Sequence, residues 1–177
     1  MGALGFENSY AFAMRREQAQ RLGVAGIGDL VPHAAGFAMG GDYEFFARPE
    51  WRQVSDVYGL EFRERRSMDA ALMYQAVAHG EVDVISAYST DGRIDAYDLL
   101  VLEDERGAIP PYDAILLASG RLVREQPAVL AALEGFVGRI GAGAMRRLNG
   151  RVDQGGETPE AVARDVVEWL AGGASEP

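Results

Sequence analysis

Apolar positions along the chain follow two alternating rhythms. Short continuous runs are separated by stretches in which hydrophobic residues return every three or four positions, the patterns of buried strands and amphipathic helices respectively. Tyr10 to Met14 is an apolar run of strand length that leads into a polar helix over Arg15 to Leu22, with Gly23 as its stop. A short helical turn near Asp29 precedes Gly36 to Met39, a buried strand ending in Gly40-Gly41. Pro49 suits a first helical turn, and Trp51, Val54, Val57 and Tyr58 then line one face up to Gly59. Glu61 to Arg65 reads as a polar strand, and Ser67 as the cap of a helix carrying Leu72, Met73, Ala76 and Val77. Val82 to Ala87, Leu99 to Leu102 and Ala114 to Ala118 are further strands, the last two separated by an acidic turn and the rigid Pro110-Pro111 pair.

From Gln126 the rhythm becomes helical throughout. Val129, Leu130, Leu133, Phe136, Val137 and Ile140 form one stripe, and Thr158-Pro159 opens another with Val162, Val166, Trp169 and Leu170. Strands alternating with helices predict an α/β fold, a mixed sheet flanked by helices, with a C-terminal helical tail whose stripes need a surface to cover them.

Composition narrows the function. The 177 residues carry a net charge of −10, so nucleic-acid phosphates and anionic membranes would be repelled and no nucleic-acid partner is expected. No cysteine is present, which excludes disulfides, thiolate metal sites and a cysteine nucleophile. The opening MGALGFENSY has neither the basic nor the apolar region of a secretory signal, and no run reaches the roughly 20 apolar residues of a membrane span.

Catalytic and metal chemistry find no support in the pattern. His33 and His79 are far apart and read as surface residues. GIGDL and GAGAM lack the setting of a dinucleotide fingerprint, and Glu103-Asp104-Glu105 reads as a solvated turn with no ligand loop around it. Asp91-Gly92 reads as a turn, and nothing marks Ser89 as activated. The expectation is no catalytic residue, no metal and no cofactor. The tyrosines stand out instead: Tyr10, Tyr88 and Tyr112 sit at strand edges beside turn residues, where open α/β sheets place ligand crevices, whereas Tyr58 and Tyr74 ride on helices as packing.

Several segments resemble one family. GFENSYAFAMR resembles the crossover segment of the osmoprotectant-binding proteins, and GGDYEFFARPEW is similar to their glycine-acidic-E-F-F segment. SMDAALMYQAVAHGEVDVISAYSTDGRI resembles their S-M-D to A-Y-S-T-D-G block, YDLLVLEDERGAIPPYDA their V-L-E-D to P-P-Y block, and TPEAVARDVVEWL their terminal helix. The likeness runs from Leu4 to about Leu170. It implies a type II periplasmic-binding-protein-like fold, the two-lobed Venus flytrap, with residues 1–118 as the second lobe and its crossovers. Residues 119–177 would be helices of a first lobe whose N-terminal half is not in this chain.

The resemblance also implies a function. It is solute binding for an ABC importer of quaternary-ammonium osmoprotectants such as glycine betaine or choline, extracytoplasmic at full length, with the transporter permease as partner. Matched residue by residue, it assigns Tyr10, Tyr88 and Tyr112 to a cage around the cation, Arg48 to the ligand carboxylate and Asn8 to a polar crossover contact. Glu7 stands where the family usually has asparagine. The tail stripes suggest a homodimer through the C-terminal helices. The competing readings are a small-molecule lyase and a cytoplasmic effector-sensing domain on the same scaffold.

Overall fold

A computed structural model describes residues 1–172. The strands are β1 (Ala3–Glu7), β2 (Tyr10–Arg15), β3 (Ala38–Gly41), β4 (Glu64–Ser67), β5 (Val84–Tyr88), β6 (Leu99–Val101) and β7 (Asp113–Ile115). The helices are α1 (Arg16–Leu22), α2 (Val31–Ala34), α3 (Pro49–Tyr58), α4 (Ala70–Ala78), α5 (Arg93–Ala96), α6 (Gly120–Glu125), α7 (Pro127–Glu134), α8 (Ala142–Asp153) and α9 (Pro159–Leu170). They form two compact units, one of residues 9–89 and 93–110, the other of residues 1–8, 90–92 and 111–172. This division differs from the expected one at residue 118, because residues 1–8 and 111–118 group with the tail.

The first unit is a five-stranded mixed sheet in the order β4-β3-β5-β2-β6. β3 runs parallel to β4 and β5, while β2 is antiparallel to β5 and β6. Successive side chains of a strand point to opposite faces, so neighbours in sequence enter different cores. Phe12, Met14, Met39 and Val84 go to one core with Trp51, Val54 and Tyr58 of α3. Ala13, Ala38 and Ile85 go to the other with Met73, Tyr74 and Val77 of α4. With both faces covered, β2, β3 and β5 have no solvent side, which is why they read as apolar runs, whereas the edge strand β4 is exposed and polar. Each large side chain buried this way contributes roughly 1.5–3 kcal/mol.

Helix ends follow local chemistry, with one correction. Gly23 closes α1 in the left-handed region (φ 70°) as its position predicts. α4 is capped by Asp69, whose side chain accepts from the Ala71 amide at 2.8 Å, and not by Ser67, which lies in β4. A polar brace also escapes the pattern. Arg15 donates to the carbonyl of Val77 and to Gln18 Oε1, Gln18 Nε2 donates to Asp83 at 3.0 Å, and Asp83 accepts the Ala38 amide at 2.9 Å. These bonds tie the end of β2 to α4 and to the start of β3.

The acidic run is also more ordered than a solvated turn. Asp104 accepts the Tyr58 hydroxyl at 2.6 Å and the amides of Ala108 and Ile109, and Glu105 accepts the Gly28 amide.

In the second unit β1 pairs with β7 in an irregular antiparallel ribbon, and α8 packs on α9 through Ala144, Leu148, Val162 and Val166. Thr158 caps α9, accepting from the Ala161 amide. Two expectations change here. The expected strand at Ala114 to Ala118 is only Asp113–Ile115, and Leu117 is 83% exposed. The stripe from Gln126 is interrupted, since α7 ends at Glu134 and buries nothing, leaving Phe136 and Ile140, beyond it, to join the core. α8 lies in the tail that reads as helical throughout, but it carries neither of the two expected stripes, and Gly143 and Gly150 weaken its local signal. Packing against α8 explains Gly92 instead: a Cβ on Gly92 would lie 2.5 Å from the Gly150 Cα, whereas one on Gly150 would meet only the Gly92 Cα at 3.7 Å, an ordinary contact.

Candidate ligand-binding site

The register of the first unit's sheet brings two of the expected tyrosines together. Tyr10 and Tyr88 are direct partners on the antiparallel strands β2 and β5, so their side chains leave the same face. Their ring centroids are 5.2 Å apart at an interplanar angle of 31°, and Phe45 adds a third ring 4.9 Å from Tyr10. Tyr74, buried in the opposite core, accepts the Tyr88 amide at 3.0 Å and so holds the end of β5.

A charged frame surrounds these rings. The segment after β3 turns sharply because Asp42 Oδ1 accepts the amides of Glu44 and Phe45 at 2.8 and 3.0 Å. The turn sets Arg48, the residue before α3, with its guanidinium 5.8 Å from the Tyr10 ring centroid. Glu44 pairs with Arg48 at 2.7 Å, and the Arg48 Nε is buried without a hydrogen-bond partner. The hydroxyls form a chain in which Tyr10 donates to Tyr88 and Tyr88 donates to Asp42 Oδ2 at 3.0 Å.

Burial, together with the hydrogen bond to Tyr88, pushes the Tyr10 phenol far above its ordinary range. Burial raises Tyr88 as well, with the bond to Asp42 adding to it. Arg48 is held above its usual value by the hydrogen bond to Glu44. Two neutral electron-rich rings and a permanent cation are therefore in place at any physiological pH.

Of the expected site residues, the fold gathers Tyr10, Tyr88 and Arg48. Tyr112 and Asn8 belong to the other unit. Tyr112 is 49% exposed, its amide donates to Glu7 Oε2 at 3.2 Å and its carbonyl accepts the Asn8 amide at 3.1 Å. Asn8 Oδ1 accepts the Thr90 hydroxyl at 3.0 Å, and Asn149 donates to the Thr90 carbonyl at 2.8 Å. Asn8 is thus bonded into the framework of its own unit. Asp42 and Phe45 were not singled out from the sequence, although both stand in the GGDYEFF segment.

Among the described residues no group of three or more His, Asp or Glu side chains is arranged to hold a metal, and no helix is long and apolar enough to cross a membrane. His79 is exposed, and His33 is half-buried and stacked on Phe37.

Residues 1–171 match the family described as the substrate binding domain of the ABC-type glycine betaine transport system. The chain belongs to this family. Its members are solute-binding domains rather than enzymes, and the fold is that of type II periplasmic binding proteins. The glycine-betaine-binding protein of Pseudomonas aeruginosa is 34% identical over 176 residues, covering 92% of this chain and 56% of that protein. The carnitine transport binding protein OpuCC of Listeria monocytogenes is 30% identical, covering 93% of this chain and 54% of that protein. The ergothioneine transport permease/ergothioneine binding protein EgtU of Helicobacter pylori is 30% identical, covering 96% of this chain and 31% of its own length. A crystal structure of a glycine betaine/carnitine/choline ABC transporter superimposes with a TM-score of 0.91 at 33% identity, covering 97% of this chain and 63% of that one. The chain thus spans about a third to just over half the length of these curated relatives.

Proposed function

We propose that this osmoprotectant-family domain serves an ABC importer by binding a quaternary-ammonium solute such as glycine betaine or choline, with the cation against tyrosine faces. The observation that carries the reading is the Tyr10–Tyr88 pair with a cation, Arg48, already over one ring. A trimethylammonium group has no N–H to donate, so ring quadrupoles must replace its water, at roughly 0.5–2 kcal/mol per ring. Arg48 offers paired donors for a ligand carboxylate. Tyr112 and Asn8 enter through their match to the family's motifs rather than through the geometry.

In the same reading the sheet unit corresponds to the second lobe of a two-lobed receptor and the C-terminal helices to part of the first. Delivery is to a permease outside the cytoplasm, and a second copy covers exposed apolar side chains of the tail. The names of the relatives, which bind glycine betaine, carnitine or ergothioneine, support a small solute bearing a quaternary nitrogen.

The test is calorimetric titration of the purified protein with choline, glycine betaine and 3,3-dimethylbutan-1-ol, the uncharged isostere of choline. Both cations should bind and the isostere far more weakly; three indistinguishable titrations would refute the reading.

A further inference from the structure

A buried carboxylate stands beside the paired tyrosines. Asp42 is only 8% exposed, and its partners are the amides of Glu44 and Phe45 and the hydroxyl of Tyr88. Among the described residues it forms no ion pair, and the nearby Arg48 is paired with Glu44 instead. A carboxylate taken out of water without a counter-ion is costly even when hydrogen-bonded.

The turn does not explain that cost. Asparagine makes the same bonds to two backbone amides and carries no charge. What asparagine cannot supply is a negative field. A carboxylate accepting the hydrogen bond of the Tyr88 hydroxyl pushes electron density into that phenol, and Tyr88 in turn accepts from Tyr10, so one charge polarises both rings. Burial comes first among the causes that raise both phenols, the charge of Asp42 adds to it in each, and the Arg48 guanidinium opposes it in each, so both charges act on the two rings. A more negative ring face attracts a cation more strongly and leaves an apolar group of the same shape unaffected.

We propose that Asp42 determines charge selectivity at this site: its carboxylate, linked through the Tyr88 and Tyr10 hydroxyls, makes the rings prefer a cation over a neutral group of equal size. The proposal rests on the quaternary-ammonium reading and names the residue that enforces it. Asp42 does not touch the ligand in this account; it tunes and positions the rings that do.

The experiment compares choline with 3,3-dimethylbutan-1-ol in the parent protein and in Asp42→Asn, which keeps the size and the oxygen acceptor of the turn. The variant should retain the parent circular-dichroism spectrum, lose about tenfold in choline affinity and bind the neutral isostere as before. Equal weakening of both ligands would reduce Asp42 to a shaping role and overturn the proposal. A choline preference that survives the substitution would overturn it too, while leaving the quaternary-ammonium reading intact. A parent with no preference for choline over the isostere would bring down both. Should Asp42→Asn not fold, Tyr88→Phe decides, since it breaks the hydroxyl link and keeps the ring: the choline preference should fall about threefold, and an unchanged preference overturns the proposal.

Discussion

The Tyr58 hydroxyl donates a 2.6 Å hydrogen bond to Asp104 and accepts the Arg106 amide at 2.8 Å, which ties α3 to the loop after β6. Tyr58→Phe removes both bonds and keeps the ring. We expect a loss of about 1.5–3 kcal/mol, because one of the bonds is to a charged group. Urea unfolding at neutral pH, with an unchanged slope, measures it.

The same loop makes stability depend on acid. Burial pushes the Asp104 carboxyl up, but the Tyr58 hydroxyl and the amides of Ile109, Ala108 and Arg106 outweigh it and hold the carboxyl below its ordinary range. A depressed folded pKa means that this stabilisation is complete above the unfolded value, about 3.9, and is lost as pH falls through the folded one. Asp104→Asn should lower Tm at pH 7 and flatten part of the decline below pH 4. An acid profile parallel to the parent's would show that Asp104 does not contribute.

Gly92→Ala tests the backbone contact with Gly150. The added Cβ would sit 2.5 Å from the Gly150 Cα, where no side chain can swing aside. A cost of about 1–3 kcal/mol is expected, as for overpacking. Gly143→Ala, inside α8 with only the flexible ends of Arg147 and Arg146 3.7 and 3.9 Å from the new Cβ, is the control and should be neutral or stabilising by up to about 1 kcal/mol.

For the ligand, Tyr88→Ala should weaken choline and glycine betaine alike by about 1–2 kcal/mol, because both present the same cation to the ring. Arg48→Ala should weaken glycine betaine far more than choline, which has no carboxylate for the guanidinium to meet. Equal losses for the two ligands in calorimetry would remove Arg48 from carboxylate recognition.

For the tail, Val129 and Val137 are exposed, and α7 buries nothing. If a second copy covers this face, light scattering should report a dimer that Val129→Glu dissociates. A monomer at high concentration, with the tail still protected from hydrogen exchange, would refute the pairing.

The amino-acid sequence by itself determined the alternation of strands and helices in the sheet unit, because a strand buried on both faces and a helix buried on one leave different periods. It also determined the positions of Tyr10, Tyr88 and Arg48 within motifs of the family, and the end of α1 at Gly23, where a local conformation suffices. Only the tertiary structure decided relationships between residues distant along the chain. The pairing of Tyr10 with Tyr88 depends on the register of β2 against β5, which no local pattern specifies. Asp42 is not singled out in the sequence; its burial and its bond to Tyr88 are seen only in the fold. The acidic run looked solvated because the partners of Asp104 lie 46 residues earlier, on α3, as well as within its own loop. The helix at Ala142–Asp153 falls in the tail that reads as helical, but its bounds and its buried face were not legible. Its glycines weaken the helical pattern locally, and the need for glycine at position 92, where a Cβ would strike the Gly150 backbone, arises from packing alone.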